Sequence, residues 1–390
     1  MSGLRYNPPL SLYVHMPWCV RKCPYCDFNS HAVPEKLPAE DYVRVLIADL
    51  EQELSRVWGR PVHSIYFGGG TPSLFAAEQV EEFLSAARAR LNLWPDIEIT
   101  LEANPGTIEH DSFSAYAEAG INRVSIGVQS FNDASLGRIG RIHGRSEIEQ
   151  CLRSLKSSGI MNFNIDLMYG LPGQNLAQSR NDIELAIEAN PAHISYYQLT
   201  LEPNTAFAAN PPELPGDDIA WDMQVAGAGL LEAAGYRQYE ISAYAQKGRQ
   251  SRHNLNYWRY GDFMAIGAGA HGKITRASDR QVWRYAKHRH PKRYFQAVET
   301  GDWLADKCLL NSNELVFEFF LNQLRLKHGV YINDFSARTG LSWQLVESRV
   351  QQAIDRGLLE IDEDRLRPTG LGWRFVNDIQ EIFLPSASVR

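Results

Sequence analysis

Over the first half of this 390-residue chain, six apolar, β-rich runs alternate with helix-like patterns, and that alternation admits few folds. The runs cover residues 11–17, 64–70, 97–105, 123–130, 162–172 and 193–203, each ending in Gly, Pro or polar residues. Helical patterns fill 41–58, 77–91, 112–119, 146–158 and 176–189 between them. A helical crossover returns the chain to the same end of a sheet, so successive strands lie parallel with right-handed connections. Six units are too few to close an eightfold barrel. The expected α/β fold is an open, partial (β/α)6 barrel over residues 1–235. The loops after its strands would gather at one mouth, where ligands bind.

A Pro/Asn loop at 203–215 and a helix at 217–234 lead into residues 236–243 and a Gly-rich stretch at 261–272. Both are expected to extend the sheet edge, as a barrel extension over 236–305. Beyond residue 304 the pattern becomes a helix (314–325), a helix–turn–helix (332–339 and 342–355, broken at Gly340), a hairpin (358–362 and 366–369) and a last helix (370–383). This order predicts a small C-terminal winged-helix-like α+β domain over 306–390. The helix that would meet DNA sets Arg349 and Arg356 against Glu347 and Asp355. That local neutrality, with a net charge of −7, predicts no nucleic-acid partner. No apolar run of about 18 residues and no apolar leader segment occurs, so neither a membrane-spanning helix nor a signal peptide is expected.

Of five cysteines, three fall within eight residues just after the first strand: Cys19-Val20-Arg21-Lys22-Cys23-Pro24-Tyr25-Cys26. An odd number so clustered is not a disulfide framework and points to metal binding in a reducing cytoplasm. Cys151 and Cys308 lie far away and are expected to be inert buried thiols. Three thiolates in one loop can hold three corners of a [4Fe–4S] cluster. Such clusters usually take four cysteines, so a missing fourth leaves one iron free for a small chelator. The amino and carboxylate groups of S-adenosylmethionine (SAM) can serve as that chelator. The alternative is a structural zinc site with His15 or His31 as fourth ligand. The βα position of the loop, and the Gly68-Gly69-Gly70-Thr71-Pro72 turn after the next strand, favour the cluster.

Tyr13-Val14-His15-Met16-Pro17-Trp18-Cys19, the CxxxCxxC spacing and the glycine turn together resemble the radical SAM superfamily. More narrowly they resemble its coproporphyrinogen dehydrogenase-related branch, from about residue 10 through the C-terminal domain. SAM needs acceptors for its ammonium, a cation for its carboxylate and polar partners for its ribose. Gly68, Gly69 and Gly70 let backbone approach a ligand closely. Thr71 adds a hydroxyl, Glu102 and Asp166 add carboxylates, Gln129 ends a strand and Arg141 can fork onto a carboxylate. The resemblance implies that Tyr13, Tyr25, Gly69, Gly70 and Thr71 contact SAM or the cluster. It implies the same of Glu102, Gln129, Arg141, Asp166 and Thr200, and no catalytic residue is assigned.

The branch holds an oxygen-independent coproporphyrinogen III dehydrogenase, which decarboxylates propionates, and a group of heme chaperones. Phe28 stands where the dehydrogenase has a further cysteine, and only a short segment precedes the first strand. His253-Asn254-Leu255-Asn256-Tyr257-Trp258 matches the HNxxYW motif of the chaperones. These features favour a heme chaperone, with the dehydrogenase as the alternative. A neutral imidazole is a good axial ligand to heme iron, and His253 is the expected one. Tyr257 and Trp258 offer flat faces for a macrocycle, and His143 and His271 are rival ligands. The implied partners are heme and acceptor hemoproteins, membrane-bound ones included, with a homodimer and peripheral membrane contact left open.

Overall fold

The structure, a computed structural model, describes residues 4, 6–106 and 112–385. The reading of the first ten residues and of the last five therefore lies partly outside the described residues.

Six parallel strands follow one another in sequence and in space: β1 (Leu10–Met16), β2 (Pro61–Gly69), β3 (Asn92–Ala103), β4 (Arg123–Gln129), β5 (Phe163–Tyr169) and β6 (His193–Gln198). The expected helices between them run Ala39–Val57, Ala77–Arg90, Phe113–Ala119, Arg145–Ser157 and Leu176–Glu188. Their ends carry local signals. Asn175 and Gln178 form a reciprocal capping box, and Gly120 closes its helix in the left-handed region.

The register sorts side chains by chemistry. Leu12, Ile65 and Ile99 stand level across β1–β3, as do Ala103, Ile126, Ile165 and Ile194 across β3–β6. This apolar face packs under the helices in one core with Leu46, Leu50, Phe83 and Leu84. The opposite face is polar: Glu102, Ser125, Asn164 and His193 form one level, and Gly127, Asp166 and Ser195 the next. Period-2 alternation thus builds a core on one side and a polar concavity on the other.

The sheet has twelve strands. Beyond β6 lie β7 (Arg237–Glu240) and β8 (Ala243–Ala245), with β8 next to β6. The Gly-rich stretch joins the opposite side: β9 (Asp262–Ile266) runs parallel to β1. Antiparallel β10 (His271–Arg276), β11 (Gln281–Lys287) and β12 (Leu304–Leu309) follow. Because β12 pairs with β11, residues 306–309 belong to the large sheet.

The C-terminal unit then sets helices Ser312–Gln323, Ile332–Thr339 and Glu347–Asp355 around a three-stranded sheet. Its strands are β13 (Val330–Tyr331), β14 (Leu359–Asp362) and β15 (Arg365–Pro368), with β15 central, and Phe319, Phe320, Phe335 and Leu366 fill the core. The expected last helix divides into Gly370–Arg374 and Val376–Ile382. Arg284–Glu318 (2.8 Å) and Arg325–Glu240 (3.0 Å) tie this unit to the large sheet. Among the described residues, no helix is long and apolar enough to cross a membrane.

Candidate functional site

β1 delivers the chain directly into the cysteine loop. Trp18–Cys19 pairs with His31–Ala32 at its base, and Cys26 N donates to Cys23 O at 3.1 Å. The glycine turn closes onto the start of this loop, backbone to backbone. Gly70 N donates to Met16 O (2.7 Å) and Thr71 N to Trp18 O (2.8 Å). A Cβ on Gly70 would stand 2.4 Å from the Trp18 carbonyl oxygen, so this seam requires glycine. Sequence reasoning gave these glycines to the ligand alone. The structure gives Gly70 the further task of holding two loops together.

All five cysteines are free. Thr71 Oγ1 lies 3.5 Å from Cys19 Sγ and Arg141 Nη1 3.6 Å from Cys23 Sγ, so two sulfurs already face donors. Burial raises the Cys19 and Cys26 thiols, and the neighbouring sulfurs raise them further. A bound metal reverses that balance by favouring the thiolate. Among the described residues, no three His, Cys, Asp or Glu side chains gather about a single ion. Cubane ligands each bind a different iron, so they need not converge on a point. Of the two candidate fourth ligands for zinc, one is fully engaged and the other is engaged at one nitrogen. His15 is engaged at both ring nitrogens, 3.0 Å from Tyr13 Oη and 2.8 Å from Asn29 O. His31 Nε2 lies 3.2 Å from Arg289 O.

Between the cysteine loop and the ends of β2–β6 lies a cavity of about 500 Å³. Tyr25, Gly69, Gly70, Thr71, Glu102, Gln129, Arg141, Asp166 and Thr200 all line it. Tyr13 does not. It lines a second cavity of about 510 Å³ that shares Gly69 and Glu102 with the first. Glu102 accepts from Tyr66 Oη (2.7 Å) and Gly69 N (3.2 Å). Burial nevertheless pushes its carboxyl up to about 7, with nearby Asp166 adding to the rise. Burial likewise raises Asp166, although Asn164 Nδ2 donates to it at 2.7 Å. Both carboxyls would regain charge beside a cationic ligand. Arg141 donates to Asn104 Oδ1 (2.5 Å) and Gly127 O (2.7 Å), which fixes its plane across the cavity wall. Gln129, at φ 69°, accepts from Tyr197 Oη (2.8 Å), and Thr200 donates to Glu202 (2.8 Å).

Tyr66, Arg123, Asn164, Ser195 and Tyr197 also line this cavity and were not singled out from the sequence. Their signal was present: polar residues at every second position of otherwise apolar strands. Arg123 is buried, and its Nε has no partner among the described residues.

The HNxxYW motif forms the short helix Arg252–Trp258, capped by Ser251. His253 is 1% exposed and stacks on Tyr66 at 4.8 Å between centroids. Its Nδ1 lies 2.9 Å from Ser64 Oγ and its Nε2 2.9 Å from Tyr257 Oη. With both nitrogens within hydrogen-bond distance of hydroxyls, His253 braces the floor of the concavity. Trp258 lies under the Arg325 guanidinium (4.3 Å), and Asn254 reaches the first cavity. His143 is buried, its Nε2 3.4 Å from Val128 O. His271 opens onto the second cavity. Cys151 is buried and its thiol pushed up to about 12, whereas Cys308 is exposed, because β12 is an edge strand.

Six sequential parallel strands with three free thiols at their mouth are the architecture of the radical SAM class, and the Radical SAM superfamily model matches residues 13–186. The HemN C-terminal domain model matches residues 310–375. In solved structures, the fold is similar to coproporphyrinogen III oxidase (HemN) from Escherichia coli, with a TM-score of 0.81 and 23% identity, covering 97% of this chain and 91% of that one. The heme chaperone HemW of Haemophilus influenzae is 48% identical over 97% of this chain and 98% of its own length. The heme chaperone HemW of E. coli K12 shows the same identity and coverage. The chain belongs to the HemW family of the radical SAM superfamily.

Proposed function

We propose that this protein is a heme chaperone that binds heme, a [4Fe–4S] cluster and SAM, and passes heme to acceptor hemoproteins. The observation that carries this reading is the 48% identity, across nearly the full length of both chains, to relatives named heme chaperones. Five unpaired cysteines support a reducing, cytoplasmic setting.

The donor set suits the cluster. Cys19, Cys23 and Cys26 would hold three irons, with Arg141 and Thr71 donating toward sulfur. When bound, the cluster supplies one-electron chemistry beside an iron open to SAM. The chain's own residues then orient the ligand. Glu102 and the glycine turn accept from its ammonium, Arg141 faces its carboxylate, and Asp166 holds its ribose. Tyr25 and Met168 supply apolar wall around it.

Anaerobic reconstitution of the full chain tests the reading. The expected result is about four irons per chain, lost when any one of Cys19, Cys23 or Cys26 becomes Ala. Stoichiometric binding of added hemin and its transfer to apomyoglobin should accompany it. Conversion of coproporphyrinogen III to protoporphyrinogen by reduced protein with SAM would overturn it in favour of the dehydrogenase.

A further inference from the structure

The second cavity is as large as the first and lies on its other side, toward β9 and β10. SAM and the cluster account for the first, and nothing so far accounts for the second. Four aromatic side chains, Tyr13, Phe28, Tyr257 and Phe263, form part of its wall. Tyr257 and Phe263 meet edge to face at 4.5 Å, and Phe28 is 60% exposed, a large apolar ring held in water without a protein partner over most of its surface. A volume near 510 Å³ falls in the range of about 300–1,000 Å³ typical of sites for sizeable organic ligands.

Six polar or charged residues complete the lining: His15, Asp27, Asn29, Glu102, His271 and Arg289. Among the described residues, neither ring nitrogen of His271 has a hydrogen-bond partner, and the Arg289 guanidinium has no carboxylate partner. Of the other histidines named above, two use both ring nitrogens and two use Nε2 alone, and neither of the latter pair lines this cavity. His15 and His253 use both nitrogens, His31 is 3.2 Å from Arg289 O, and His143 is 3.4 Å from Val128 O. An aromatic slot with one free imidazole and one free guanidinium matches a flat macrocycle with a central metal and peripheral carboxylates.

We infer that the second cavity is the heme site, with His271 as axial ligand to iron, Arg289 pairing with a propionate and Phe28 covering the macrocycle. This deepens the proposed function and rests on it. The site would be rigid where it matters. His271 begins β10, and the loop before it is pinned by Asn29, whose Nδ2 donates to Ala268 O and Arg289 O, each at 2.9 Å. Asn29 lies three residues after Cys26, so one side chain joins the cysteine loop to the backbone beside His271 and at Arg289. Heme would therefore lie against the cysteine loop, sharing Asp27 and Phe28 with the first cavity. Partial burial, aided by nearby Arg289 and Arg284, lowers the His271 pKa and favours the neutral form a metal requires.

The test is a hemin titration of the reconstituted full chain, read by Soret absorption and by electron paramagnetic resonance of the ferric iron. His271→Ala should weaken hemin binding by at least about tenfold and change the axial-ligand signature. Cluster content and melting temperature should stay unchanged, because the ring makes no protein hydrogen bond. His271→Met should retain binding and show a thioether-ligand signature, a change that a merely structural role would not produce. Arg289→Glu should weaken hemin binding and leave the dimethyl ester of heme unaffected. Wild-type affinity and an unchanged ligand signature in His271→Ala would overturn this assignment and leave the chaperone reading standing. A wild type that binds no hemin would overturn the chaperone reading itself.

Discussion

His253 Nδ1 and Ser64 Oγ, 2.9 Å apart, join the helix Arg252–Trp258 to β2 beneath the first cavity. Ser64 Oγ also lies 2.8 Å from Ser11 Oγ on β1, and Glu98 on β3 accepts from the His253 backbone N–H at 3.1 Å. One residue thus ties three neighbouring strands to a helix that arrives from far along the chain. His253→Ala leaves the Ser64 and Tyr257 hydroxyls without this partner and opens a void beside Tyr66. A loss of about 2–4 kcal/mol in unfolding free energy is expected. Urea unfolding of the cluster-free chain checks it, and a loss below about 0.5 kcal/mol would defeat the bracing role.

The same burial gives a pH dependence. His253 is pushed down to about 3 and His15 to about 4, in both cases chiefly by burial. Between about pH 6.5 and those values the unfolded chain takes up protons that the folded chain refuses, so these groups lower stability as pH falls. Glu102, pushed up to about 7, and Asp182, up to about 6, act oppositely. The folded state holds their protons, a stabilisation fully present below about pH 4 and lost as pH rises through those values. Comparison with His253→Asn isolates one term. The stability advantage of wild type should be constant above about pH 7 and shrink by about 1.4 kcal/mol per pH unit below 6.5. An advantage unchanged from pH 7.5 to 5 would show that the ring is not held neutral.

Gly70 offers a sharper test of the seam between the glycine turn and the cysteine loop. In Gly70→Ala the new methyl meets backbone on two sides, 2.4 Å from Trp18 O and 2.8 Å from Met16 O, where no flexible side chain can yield. The loop must part from the turn, and the Gly70–Met16 and Thr71–Trp18 hydrogen bonds go with it. Iron incorporation on reconstitution should fall several-fold, with overall helix content retained by circular dichroism. By contrast Gly229→Ala, at a helical position with open space around it, should keep full iron content. Equal iron content in both variants would remove the seam from the account.

Much of this fold was legible because its signals are local. Period-2 runs ending in Gly or Pro gave the six parallel strands, and the spacing of Cys19, Cys23 and Cys26 gave the thiol site. What sequence patterns lacked was long-range pairing. Nothing local says that Asp262–Ile266 lies beside β1 rather than beyond β6, a neighbour more than 240 residues away in sequence. The bracing contacts of His253 were hidden for the same reason. Its partner Ser64 lies 189 positions earlier, and an imidazole next to two aromatic residues looks the same in sequence whether it faces a ligand or a hydroxyl. Arg123 and Asn164 were passed over because single polar residues within apolar strands are common. Only the register shows Asn164 on one level with Glu102, and Arg123 one step along the same face.

Glu102 should make SAM binding depend on pH. Without a cationic ligand, burial holds its carboxyl near 7, so the free protein is about half protonated there. The SAM ammonium favours the carboxylate, so binding below pH 7 must displace a proton, and affinity should rise with pH through about 6–7.5 before levelling. Glu102→Gln keeps the shape of the group and an acceptor oxygen for the ammonium but loses its charge. SAM affinity should drop about 10–100-fold, the worth of a charge-assisted hydrogen bond. Its pH dependence over that range should also flatten. Equilibrium dialysis of radiolabelled SAM against the reconstituted protein from pH 6 to 8 measures both effects. Retained affinity with an unchanged profile in the Gln variant would move the ammonium contact away from Glu102 and onto the carbonyls of the glycine turn.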